Sequence, residues 1–123
     1  MNVNELTGAN LAFIGDAYYE LRVRDYVISK GITHLQKLHN ESVKFVSRTA
    51  QSWLLQTLYP ILTDEERNIY KRGRNYRYKD HSEEYLIASG FEAIIGYLYL
   101  NQQYDRFDEL FGFITTLIEE KPK

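Results

Sequence analysis

Two apolar stretches of this chain each set glycine and an acid inside what otherwise reads as an apolar helix. The first is Leu11-Ala12-Phe13-Ile14-Gly15-Asp16-Ala17-Tyr18-Tyr19-Glu20, and the second is Ser89-Gly90-Phe91-Glu92-Ala93-Ile94-Ile95-Gly96. In a helix interior, glycine and aspartate cost roughly 0.7–1 kcal/mol each against alanine. Glu20 lies four residues after Asp16, so the two carboxylates share a face, and like charges at that spacing are destabilising. A cation held against them would remove the penalty. Two unfavourable places of one kind point to one purpose, a metal between two packed helices.

Asp16 and Glu92 are the ligands on this reading. Magnesium takes one or two carboxylates and completes its shell with water and substrate phosphate, which a pair of facing helix acids can provide. Glycine beside each acid fits, because it lets a backbone or a substrate approach closely. The plainer alternative pairs Asp16 with Arg22 or Arg24, and Glu92 with another arginine.

At 123 residues the chain should form one domain, residues 1–123, with a real core. It has no cysteine, which excludes disulfides, thiolate metal sites and cysteine nucleophiles. The apolar runs are far short of a membrane span. Its start, Met1-Asn2-Val3-Asn4-Glu5, lacks the basic and apolar segments of a secretory signal, so a cytoplasmic location is expected.

Helices fit the long stretches between turn signals better than strands do. The first should run from near Thr7 or Gly8 to Lys30 and close at Gly31. Thr33 is expected to cap a short helix through Leu38. Asn40 should cap the next, with Val43, Phe45, Val46, Ala50, Trp53, Leu54 and Leu58 as its apolar stripe and Pro60 as its limit. Thr63-Asp64-Glu65-Glu66 is a capping box, and Gly73 follows Lys71 and Arg72 at the far end. Arg74 to Ser82 reads as loop. A long helix from about Glu83 to Asn101 and a final one capped by Asp105 complete an all-α domain of about six helices.

Net charge is −2, yet the charge is unevenly spread. Between Arg67 and Lys79 lie Arg67, Lys71, Arg72, Arg74, Arg77 and Lys79 and no acid, leaving nine basic residues elsewhere against all seventeen acids. A local patch of this kind steers a polyanion to one place. Arg72-Gly73-Arg74-Asn75-Tyr76-Arg77-Tyr78-Lys79 interleaves arginine forks, suited to phosphate oxygens, with tyrosines. A solvated charge run is the alternative. His34, His39 and His81 show no zinc spacing and read as surface or capping residues.

At these residues the chain resembles the Mini-ribonuclease III family, short relatives of ribonuclease III without a double-stranded-RNA-binding domain. The likeness rests on four motifs in order: Leu11 to Ala17 with Tyr19-Glu20; Leu38-His39 with Phe45-Val46-Ser47 and Ala50-Gln51; Arg72-Gly73-Arg74-Asn75; and Phe91 to Tyr97. The resemblance implies a ribonuclease III-like helical bundle that works as a homodimer and cuts double-stranded RNA with magnesium, for which manganese can substitute. The implied target is the stem of precursor large-subunit (23S) ribosomal RNA. It puts Asp16 and Glu92 on the catalytic, metal-binding positions, with Glu20 and Ser89 supporting. Phe13 falls on the position that enters a socket on the partner subunit, and Arg72, Arg74 and Asn75 fall on the basic turn of the Mini branch; with Arg77 and Lys79 further along the charged segment they are the candidate RNA-binding residues. Larger ribonucleases III carry acids where this chain has Ala12 and Ser89, replacements that the Mini branch tolerates. The segment between Asn75 and Phe91 is shorter than the family's usual one. A catalytically inactive RNA-binding scaffold of the same fold is the alternative, and a helical protein-interaction module would leave the basic turn unexplained.

Overall fold

The computed structural model of the protein describes residues 1–75 and 82–122, and every regular element among them is helical. In chain order these are α1 (Gly8–Ser29), α2 (Leu35–Val46), α3 (Arg48–Leu58), α4 (Asp64–Asn75), α5 (Glu83–Leu100) and α6 (Tyr104–Glu120), with short 3-10 turns at Val3–Glu5 and Tyr59–Ile61. The all-α expectation holds. None of these helices is long and apolar enough to cross a membrane.

Local chemistry explains most of the helix ends. Thr7 and Asn10 form a reciprocal capping box at the start of α1: the Thr7 hydroxyl accepts from the Asn10 amide at 3.0 Å, and the Asn10 side chain accepts from the Thr7 amide at 3.1 Å. Thr63 and Glu66 repeat the device before α4, at 3.0 and 2.9 Å. The Ser82 side chain caps α5 through the Tyr85 amide. Gly31, at φ +86°, takes the left-handed turn beyond α1 that other residues resist.

Four boundaries differ from the sequence reading. Asn40 caps nothing, because α2 runs unbroken through it; the break falls at Ser47, whose extended backbone and hydroxyl, accepting from Ala50, start α3. His34 rather than Thr33 precedes α2, without a side-chain cap. Asp105 lies inside α6, which begins at Tyr104 after Gln103. Gly73 and Arg74 belong to α4 rather than ending it. A methyl at Gly73 would lie 2.6 Å from the Ala93 side chain on α5, so this glycine is there for helix contact.

The central element is α5, which packs against α1, α3, α4 and α6. From Ile87 to Leu98 every residue of α5 is buried except Glu92. Around it close Leu11, Tyr19 and Val23 of α1, Leu54 and Leu58 of α3, and Phe107, Leu110 and Ile114 of α6. Each fully buried side chain of this size contributes about 1.5–3 kcal/mol through removal of apolar surface from water. Buried Glu66 meets Arg106 through two 2.8 Å hydrogen bonds, fastening α4 to α6.

Candidate active site

The crossing of α1 and α5 is set by backbone contact. A side-chain methyl on Gly15 would overlap the Glu92 carbonyl oxygen and lie 2.7 Å from the Gly96 nitrogen, and one on Gly96 would overlap the Leu11 carbonyl. Only glycine permits this approach. Asp16 follows Gly15 directly, and Glu92 lies one turn before Gly96. The same close crossing therefore brings the two acids together.

They share a cleft of about 310 Å³ lined by Asp16 of α1, Val46 of α2, Arg48 and Gln51 of α3, and Tyr85, Ala88, Ser89 and Glu92 of α5. Asp16 is exposed at its edge, and Glu92 is largely enclosed. Burial, followed by the hydrogen bond to Asp16 and its charge, pushes the Glu92 carboxyl up to about 8; a hydrogen bond from Gln51 and the charge of Arg48 oppose the rise. Without a cation, burial and Asp16 thus favour the protonated form of Glu92. Beneath them Tyr19 is fully buried, donates its hydroxyl to the Phe45 carbonyl at 2.9 Å, and is held neutral by burial and by Glu92. The Arg48 guanidinium lies 4.5 Å from the centre of the Tyr85 ring.

These residues fit a divalent cation. The donors are oxygens, which suits magnesium or manganese rather than a soft metal. A cation would take the place of the Glu92 proton. No group of three or more acidic, histidine or cysteine residues is gathered among the described residues, so Asp16 and Glu92 are the two acids of the site. A larger cavity, about 600 Å³ between the α2–α3 corner and the end of α6, offers no such convergence. Two of the lysines that line it, Lys30 and Lys44, are paired with Glu119 and Glu41.

Asp16, Ser89 and Glu92 line this one cleft. Glu20 does not join them: it pairs with Arg24 at 2.8 Å and lines a separate groove with Ile28, Leu35 and His39. Its repulsion with Asp16 is relieved by an arginine one turn away. Arg72 donates to the Leu6 carbonyl, and Arg74 is ion-paired with Glu83 at the start of α5, so both contribute to holding the fold together. Asn75 is exposed at the end of α4, while Arg77 and Lys79 lie outside the described residues. Phe13 is 83 % exposed on α1.

Arg48, Gln51 and Tyr85 are site residues that the sequence reading passed over. Their signal was periodic. Beyond the Ser47 cap, Arg48 and Gln51 stand three apart on one face of α3, and residues 85, 88, 89 and 92 share one face of α5.

The sequence pattern of the Ribonuclease III domain family matches residues 9–103. The Mini-ribonuclease 3 of Clostridium tetani is 40 % identical over 116 residues, covering 89 % of this chain and 77 % of that protein. The Mini-ribonuclease 3 of Enterococcus faecalis is 39 % identical over 123 residues, covering 94 % and 93 %. An X-ray crystal structure of a Fusobacterium nucleatum protein superposes with a TM-score of 0.83 at 29 % identity, covering 92 % of this chain and 95 % of that one. The fold thus falls in the class of ribonuclease III domains. Within that class, the chain belongs to the Mini-ribonuclease 3 family.

Proposed function

We propose that this chain is a double-strand-specific endoribonuclease that works in the cytoplasm as a homodimer, with magnesium, or manganese in its place, held by Asp16 and Glu92. Its natural target on this reading is the stem of precursor large-subunit ribosomal RNA. The observation that carries the proposal is the carboxylate pair, which the glycine crossing of α1 and α5 aims into one cleft.

When bound, the cation supplies an acidified water and charge neutralisation at the scissile phosphate. The chain's own residues do the rest. Glu92 would release its proton where a cation is held, and its carboxylate would then face the cleft beside Asp16. Arg48 lines the same cleft and brings a positive charge to a place where a phosphate must approach two acids. Ser89, buried in the wall, offers a hydroxyl in place of a third acid.

A-form RNA hides its base edges in a deep, narrow groove, so recognition rests on shape, 2′-hydroxyls and phosphates. A two-fold dimer matches the two antiparallel strands with two identical sites. Phe13, Leu21 and Ile28, exposed along α1, supply an apolar face for that assembly.

The test is cleavage of a perfect RNA duplex with magnesium, with a chelator, and with Asp16→Asn and Glu92→Gln. Cutting by wild type with magnesium alone, and by neither variant, is expected; each variant keeps its shape and loses a ligand charge. Near wild-type cutting by either variant rejects the site. Duplex binding without any cutting makes the chain a scaffold. In cells depleted of the protein, the large-subunit precursor stem should remain uncut.

A further inference from the structure

Gln51 is buried, with 3 % of its surface exposed, and it lines the wall of the acidic cleft. Its amide nitrogen donates to the Val46 carbonyl at 3.1 Å, and the side chain shares the cleft wall with the Glu92 carboxyl, on which it acts as a donor. Its amide oxygen is buried and has no hydrogen-bond partner among the described residues.

A buried acceptor left unpaired is unfavourable, and an apolar side chain of similar volume would fill the space without one. What glutamine adds at this position is its pair of N–H donors. Turning the amide over would set its oxygen against the Val46 carbonyl, two acceptors face to face, so the Val46 carbonyl fixes which end points where. Val46 is the last residue of α2, and Gln51 lies in the second turn of α3. The amide is therefore anchored to backbone at the corner that Ser47 creates.

We propose that Gln51 is a positioning residue of the cation site: its anchored N–H holds the Glu92 carboxylate in the orientation from which, together with Asp16, it binds a divalent cation. This rests on the reading that the Asp16–Glu92 pair binds such a cation. Hydrogen bonds to an ionised carboxylate are stronger than those to a neutral one, so the donor favours the cation-binding form. Groups that orient metal ligands in this way commonly change metal affinity by 10–100-fold when removed.

The experiment is a manganese titration of the whole protein without RNA, following free Mn²⁺ by electron paramagnetic resonance. Gln51→Met should bind Mn²⁺ about 10–100-fold more weakly than wild type. Its helical circular dichroism should be unchanged, and its melting temperature no lower, because the orphan oxygen is gone. Gln51→Leu should show the same loss and serves in its place if the methionine variant does not fold. In a Glu92→Gln background, adding Gln51→Met should cause no further loss, since the residue acts through Glu92. Wild-type affinity in both Gln51 variants overturns the proposal. A further loss in the Glu92→Gln background overturns it too, by making Gln51 an independent ligand. If wild type binds no Mn²⁺ at millimolar concentration, the cation reading itself fails, and the positioning role with it.

Discussion

Gly15 sits against the carbonyl of Glu92 so closely that no side-chain atom fits between them. That contact decides where Asp16 stands, because Asp16 is the next residue and Glu92 is its partner across the cleft. Gly15→Ala in an ordinary helix would gain about 1 kcal/mol. Here the obstacle is backbone, which cannot rotate aside, so overpacking should win by about 3 kcal/mol or more. Gly112 on α6 is the control: nothing lies within 4 Å of a methyl there. Gly112→Ala should stabilise by about 0.5–1 kcal/mol. Urea denaturation of both variants checks the opposite signs, and equal effects would mean that the α1–α5 crossing is looser than described.

Glu92 should make the metal-free protein less stable as pH rises. Its carboxyl is pushed up to about 8 by burial and by Asp16, against an ordinary value of 4.5. Below 4.5 the folded and unfolded states are both protonated. Between 4.5 and 8 the unfolded chain releases the proton while the folded one keeps it, so stability falls across that window and levels off above it. Glu92→Gln removes the titration. Allowing for screening on the open Asp16 side, that variant should exceed wild type by about 1–3 kcal/mol at about pH 8 in chelator. Denaturation midpoints at about pH 5, 6.5 and 8 test this, and parallel pH slopes for the two proteins would count against it. At the highest of these, manganese should raise the wild-type midpoint and leave the variant's nearly unchanged.

How much of this could be read from the chain depends on how local each signal is. Asp16 and Glu92 are legible because each is an acid close to glycine inside an apolar run, a local pattern that needs no knowledge of the partner helix. Gln51 and Arg48 break no local rule. Their role depends on the α2–α3 corner at Ser47, and the apolar stripe from Val43 through Phe45 and Val46 to Ala50 and Trp53 runs across that corner without interruption. Gly73 misled for a similar reason: a glycine after two basic residues has the chemistry of a helix end, while its actual neighbour, Ala93, lies on another helix much further along the chain. The like-charge pair of Asp16 and Glu20 reads as a penalty in the sequence, but Glu20 is paired with Arg24 within the same helix.

The Glu66–Arg106 pair should carry much of the tie between α4 and α6. Glu66 is buried and is held below its ordinary value: burial opposes this, and the Arg106 hydrogen bonds together with those at Thr63 outweigh it. Its contribution is therefore present above about 4.5 and fades as pH falls through the lower, folded value. Glu66→Gln removes the buried one of the two acids that Arg106 meets and leaves it with the exposed Glu109, at a cost of about 1.5–3 kcal/mol. The difference between variant and wild type should shrink on acidification toward about pH 3. A constant difference would mean that packing, rather than charge, makes the tie.

Phe13 should matter to assembly and not to the monomer's fold. At 83 % exposure its side chain adds little to the core, so Phe13→Ala should leave monomer stability within about 0.5 kcal/mol. If a partner subunit buries the ring, the same change should weaken the dimer by about 3–5 kcal/mol. Sedimentation across a micromolar concentration series separates the two effects. A wild-type protein that stays monomeric throughout that range would remove the paired sites from the mechanism.

The basic segment should be separable into structural and RNA-binding cations. Arg74 directs its charge to Glu83, and Arg72 is bonded to the Leu6 carbonyl, so each has work to do without RNA. Arg74→Gln alone should cost at most about 1 kcal/mol of stability, as an exposed ion pair does, and should shift the salt dependence of duplex binding by less than a fully neutralised phosphate would. Replacing Arg74, Arg77 and Lys79 together should weaken binding. The slope of log affinity against log salt should fall by about 0.7–0.9 for each RNA phosphate that the triple variant no longer neutralises. Phosphate recognition carries no sequence information, so duplexes of unrelated sequence should bind the triple variant equally poorly. An unchanged slope in that variant would mean that the segment is a solvated run and that the duplex is held elsewhere on the protein.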